Sequence, residues 1–157
     1  MNVEELAVTA ASMSASTVII VCRGLKGNPG RILFLRIRRL GYNFHPLVLG
    51  LTGVKLIREV QRGRKIYPKK EFFSLSALKE DTHACHMMLW LADALQVPYI
   101  RLEKLDNLAC ESCTIGFVRS ANEQIILEFM YSKPLSMLGP IVKIGKYRIL
   151  KRENVQV

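Results

Sequence analysis

The sequence predicts an α/β fold, with helices packed on a mixed or parallel sheet. Three observations carry this: short β-rich apolar runs recur along the chain, segments of helical period stand between several of them, and half of the residues are hydrophobic. The 157 residues suffice for one sizeable core and are too few for two comfortable domains. The expected organisation is an N-terminal extension over 1–41, an α/β unit over 42–130 and a basic C-terminal tail over 131–157.

Thr17 to Cys22 (TVIIVC) and Arg31 to Ile37 (RILFLRI) flank RGLKGNPG, which predicts a hairpin, or else a second run that is a short helix ending at Gly41. Gly24, Gly27 and Gly30 lack the Gly-Lys-Ser/Thr ending of a phosphate-cradling loop, and Asn28-Pro29-Gly30 is turn chemistry. Pro46 to Leu51 (PLVLGL) reads as a buried strand. A helix over GVKLIREVQRG follows, with Thr52 as N-cap, Gly63 as stop, and Val54, Leu56, Ile57 and Val60 on its inner side. Beyond the basic linker RKIYPKK comes a strand from Phe72 to Leu78. Asp81 or Thr82 then caps a helix to about Gln96, whose Met87, Met88, Leu91 and Leu95 stand at core spacing. Val97 to Leu102 is a third strand, Asp106 to about Cys113 a short helix and Thr114 to Val118 a fourth strand. The tail IVKIGKYRILKR forms a small hairpin around Gly145 or a basic arm.

A net charge of +10, from 23 Lys and Arg against 13 Asp and Glu, favours a polyanionic partner, RNA or DNA before a membrane surface. Glu4 and Glu5 sit where a presequence would carry cations, and TVIIVC is too short to span a bilayer. The expectation is an intracellular protein, cytoplasmic or nuclear/nucleolar, with no membrane association. Four cysteines, at 22, 85, 110 and 113, are too sparse for a disulfide framework and are expected to be reduced. Ser, His and Asp occur without a nucleophile-elbow pattern and the carboxylates are scattered, so no enzyme and no cofactor are expected.

The order of elements from Leu47 to Ile126, and above all ADALQVPYIRLEKLDNLA (Ala92 to Ala109), resembles the kink-turn-binding ribosomal protein family. That family includes large-subunit ribosomal proteins, snoRNP kink-turn proteins and a ribonuclease P subunit. The resemblance implies a single three-layer α/β/α sandwich with a mixed four-stranded central sheet, to which an N-terminal hairpin or helix and the basic tail are added. It implies an RNA-binding subunit of a ribonucleoprotein particle, with structured RNA and other protein subunits as partners. The implied RNA-binding residues are Thr52, Gly53, Lys55 and Arg58 at a helix start and Leu102, Glu103 and Lys104 in the turn after V-P-Y, side by side at one edge. Arg62, Arg64 and Lys65 add positive charge around them. The chain has Thr52 for a family Gly, Val54 for Asn, Lys55 for Glu, Arg58 for Lys and Ala109 for the closing Gly. The tail cluster Lys143, Lys146, Arg148, Lys151 and Arg152 is the other basic candidate.

His83, Cys110 and Cys113 offer a competing zinc site, for the spacing is similar to that of zinc-dependent nucleobase deaminases. Cys85 stands where such an enzyme needs its proton-shuttling glutamate, so this alternative is an inactive, zinc-binding deaminase-like protein.

Overall fold

A computed structural model of the chain describes residues 2–60, 73–104, 113–132 and 135–150. In chain order its elements are α1 (Val3–Ser12), β1 (Thr17–Arg23), β2 (Pro29–Arg38), β3 (Gly41–Lys55), α2 (Ile57–Val60), β4 (Phe73–Leu78), α3 (Thr82–Leu95), β5 (Tyr99–Leu102), β6 (Thr114–Ala121), β7 (Gln124–Tyr131) and β8 (Ser136–Ile149). All eight strands join one sheet in the order β1-β2-β3-β8-β7-β6-β4-β5. Only the pairs β4–β5 and β4–β6 are parallel; the others are antiparallel.

This corrects the fold expected from the resemblance, a four-stranded sheet inside a three-layer α/β/α sandwich. Besides the four expected strands, which are β3, β4, β5 and β6, the same sheet takes in β1, β2, β7 and β8. β3 does not stop at Leu51 for a helix capped by Thr52; it runs on to Lys55, hydrogen-bonded to β8 through Gly53, Val54 and Lys55. Helical spacing at Val54, Leu56, Ile57 and Val60 competes there with two glycines, a threonine and a valine, all poor helix formers, and pairing with β8 keeps the chain extended as far as Lys55. The described helix that follows is the single turn of α2.

β8 likewise runs straight through Gly145, where a small hairpin was expected, and lies between β3 and β7. Gly145 serves close packing here: a Cβ on it would stand 2.4 Å from Thr52 Cγ2. Tight turns are made elsewhere. Gly41, at φ 142°, closes the β2–β3 hairpin, and Asn122 and Glu123, both at positive φ, join β6 to β7.

α3 is the principal helix. Asp81 caps it, its carboxylate accepting from the Ala84 N–H at 2.9 Å, and Gln96 ends it in the left-handed conformation. The same carboxylate accepts from the Ser120 N–H and hydroxyl, both at 2.7 Å, which ties the helix start to β6. Burial alone would raise the pKa of Asp81, but the hydrogen bonds from Ala84 and Ser120, with the charge of His83, hold it below the ordinary aspartate value. Met87, Met88, Leu91, Ala92 and Ala94 pack on Leu47 and Leu49 of β3, Leu75 and Ala77 of β4, Val118 of β6 and Ile144 of β8. Burying this set is the main stabilising contribution, at about 1.5–3 kcal/mol for each large apolar side chain.

α1, capped by Asn2 in a reciprocal box with Glu5, packs on β1 and β2 and buries Ala7 and Ala10. A second, smaller core of Leu102, Phe117 and Met130 lies at the β5–β4–β6–β7 end.

A candidate nucleic-acid interface

The strand period places Leu47 and Leu49 under α3, and therefore Val48 and Gly50 on the opposite face. There β1, β2, β3 and β8 form an open groove of about 1280 Å³. Its cations are Arg23, Arg31, Lys146 and Arg148, and no Asp or Glu lines it. Cross-strand register assembles them: Arg31 stands beside Gly50 and Gly50 beside Lys146, while Val48 stands beside Arg148. Gly50 and Gly53 in the floor leave backbone exposed between the cationic side chains.

Three cations elsewhere are paired with carboxylates. Arg36 pairs with Asp93 at 2.8 Å, Lys79 with Glu103 at 2.7 Å and Arg119 with Glu128 at 2.8 Å. Among the described residues the four groove cations carry no such pair, and they line one groove together.

The residues singled out in the sequence distribute as follows. Thr52 and Gly53 line the groove from β3, as strand residues and not as a helix start. Lys55 at the end of β3 and Arg58 on α2 are exposed beside it. Arg62, Arg64 and Lys65 lie outside the described residues. Leu102 is buried in the smaller core, Glu103 is bound to Lys79, and Lys104 is exposed. The expected juxtaposition of the two RNA-binding segments is not found: β3 and β5 are five strand spacings apart in the sheet, about 24 Å. Lys143, Lys146 and Arg148 of the tail cluster lie on β8, whereas Lys151 and Arg152 are outside the described residues. Arg31 was not singled out, because only the pairing of β2 with β3 and β3 with β8 brings it toward residues more than a hundred positions away.

The alternative zinc set is dispersed. His83 packs on Tyr147, with ring centroids 5.9 Å apart, near the Asp81–Ser120 tie at the C-terminal end of β6. Cys113 is buried before the first residue of β6, roughly 23 Å from Ser120 along the strand, and is disulfide-bonded. Zinc ligands stand about 2.0–2.3 Å from the ion, so His83 and Cys113 cannot share one. Cys110 lies outside the described residues. Cys85 is buried, its thiol donating to the Leu78 carbonyl at 3.2 Å.

A buried histidine anchors the groove strands to α3. His45 on β3 accepts the Leu47 N–H on Nδ1 at 3.2 Å, so Nε2 carries the proton that it donates to Asp93 at 2.9 Å. Arg36 donates to both the carboxylate and the carbonyl of Asp93. The hydrogen bond from His45, and then Arg36, hold the Asp93 carboxyl below its ordinary range despite some desolvation. A depressed folded pKa contributes stability above the unfolded value of about 3.9, and this is lost as pH falls through the lower folded value. Asp93→Asn is therefore expected to lower the urea midpoint at neutral pH, with the gap from the parent protein closing below about pH 4. A constant gap across an acid series would show that the carboxylate charge contributes nothing.

The fold expected from the sequence, α/β, is thus replaced by a basic protein built on one eight-stranded mixed sheet with few helices, and one face of that sheet carries a groove lined by cations and by no carboxylate. No family model matches the sequence, and no curated protein does. Among solved structures the chain is similar to that of a probable ribosomal biogenesis protein from Aeropyrum pernix K1, with a TM-score of 0.73 and 19% sequence identity over 99% of this chain and 79% of that one. At that identity the likeness establishes a shared fold. Among the described residues no helix is long and apolar enough to cross a membrane.

Proposed function

We propose that this chain is an RNA-binding subunit of a ribonucleoprotein particle, acting through recognition of shape and phosphate and not through catalysis, inside the cell and together with other protein subunits. Of the particles the sequence suggested, the ribosome and its assembly intermediates are favoured, because the structurally similar A. pernix protein is described as a probable ribosomal biogenesis protein. The observation that carries the reading is the groove, which Arg23, Arg31, Lys146 and Arg148 line with no carboxylate among them. A polyanion releases counterions when such a row neutralises its phosphates, and that release supplies affinity without sequence preference. Lys55 and Arg58 extend the same charge beyond Gly53.

The test is a salt titration of binding to a structured RNA. Each phosphate contact removed should flatten the slope of log affinity against log salt by up to about one unit, so the triple change Arg31→Ala, Lys146→Ala, Arg148→Ala is expected to flatten it by about two to three. Lys55→Ala with Arg58→Ala should have the smaller effect, since these residues stand at the margin. An unchanged slope in the triple variant would remove the interface from this face.

A further inference from the structure

The geometry points to an unpaired stretch of RNA as the ligand of this face, with bases stacked on Tyr42 and Phe44 while the adjoining phosphates lie along Arg148, Lys146 and Arg31. The inference rests on the RNA reading above and specifies its substrate. It comes from a ladder of cross-strand rows built on β2. Tyr42 pairs with Ile37 and Phe44 with Leu35; the next row is Arg148, Val48, Leu33 and Ile20, and the one after it Lys146, Gly50, Arg31 and Cys22. Residues 31, 33, 35 and 37 alternate regularly on β2, since its pairing with β1 from Thr17↔Arg36 to Cys22↔Arg31 is unbroken, so all four rows face the same way. Two aromatic rungs are thus followed by two cationic rungs, spaced by about 6.6 Å along β2, close to the step of an extended polynucleotide strand.

Both rings are open to a ligand. Tyr42 is 39% and Phe44 47% exposed, and among the described residues neither has an aromatic neighbour in stacking range. Phe44 stands beside Leu35 of β2, which is fully buried, and Tyr42 beside Ile37. A duplex turns its phosphates outward and keeps the faces of its bases covered, so it can satisfy the cations but not the rings. A single strand offers phosphates and free base faces together, and stacking on protein rings tolerates any base. A protein partner would need carboxylates to meet the cations, and it is a separate outcome of the test.

Binding of three ligands of equal length is compared by fluorescence anisotropy: an oligouridylate, the same strand with abasic riboses, and an RNA duplex. Wild type is set against Tyr42→Ala, Phe44→Ala and the conservative Phe44→Tyr, with a thermal melt of each to confirm folding. The expected result is that each alanine weakens oligouridylate binding about tenfold, with the salt slope unchanged and abasic binding unaffected, while Phe44→Tyr binds as wild type. Equal affinity for the abasic strand, or alanine variants that bind oligouridylate as wild type does, would overturn the stacking role while leaving the cationic interface standing. A duplex bound as tightly as the single strand would overturn the choice of substrate. No binding of any of the three RNAs by wild type would overturn both readings at once and leave the face to an acidic protein.

Discussion

Arg119→Ala is expected to lower the unfolding free energy by about 3 kcal/mol, far more than loss of a surface ion pair would. Arg119 grips Glu128 through two bonds, Nε at 3.1 Å and Nη2 at 2.8 Å, across the β6–β7 pair. The guanidinium pKa is raised, chiefly by the hydrogen bond with Glu128. The carboxylate side chain is only 10% exposed, with Phe117 and Ile141 beside it in the neighbouring strands. Removing the arginine leaves a buried negative charge unpaired, and that penalty dominates. The arginine side chain is itself 40% exposed, which lets water reach the vacated position and keeps the cost at the low end of about 3–5 kcal/mol for breaking a buried pair. Replacing both residues, Arg119→Met with Glu128→Leu, should restore stability to within about 1 kcal/mol of the parent protein, because the site is apolar once the charges are gone. Urea unfolding of the two variants provides the measurement; equal losses in both would assign the effect to packing. The pair also sets Arg119 apart from the groove cations, since its charge is already spent on Glu128.

β4, α3, β5 and β6 were the most legible part of the chain, while the helix expected from Asp106 to about Cys113 lies almost wholly outside the described residues. The signals of these four elements are local: Asp81 before a helical period, a stop at Gln96, a Val-Pro entry into β5 and the β-rich TIGFV. The long strands were illegible for a physical reason of their own. Thr52 is as good an N-cap as it is a strand residue, and Gly145 looks like a turn when its role is to let β8 pass close to Thr52. β7 was not anticipated because the turn before it is Asn122-Glu123, without the glycine that usually marks such a hairpin. Of the groove, the sign of the charge and the cations Lys146 and Arg148 could be read from composition and clustering. The contribution of Arg31, and the rings of Tyr42 and Phe44, could not. They join the face only through the order β2-β3-β8, a pairing between distant parts of the chain that no local pattern encodes. The V-P-Y resemblance described a strand and its turn well, yet placed them beside the wrong neighbour.

Leu49→Ala is expected to cost about 2–5 kcal/mol, since it removes a branched side chain from a site that is 1% exposed and leaves a cavity beneath α3. Val48→Ala, one residue away, removes two methyl groups from a half-buried position on the groove face, and should cost about 1 kcal/mol or less. The contrast follows from the strand's period of two, which gives adjacent residues opposite environments. It also separates stability from binding. The groove cations are carried on backbone that α3 supports from behind, so Leu49→Ala, studied well below its lowered melting temperature, should keep the salt slope of RNA binding while its denaturant midpoint falls. A slope that fell with stability would mean that the cationic row is held in register by the core packing of Leu49, and that the two faces of this sheet are coupled through it.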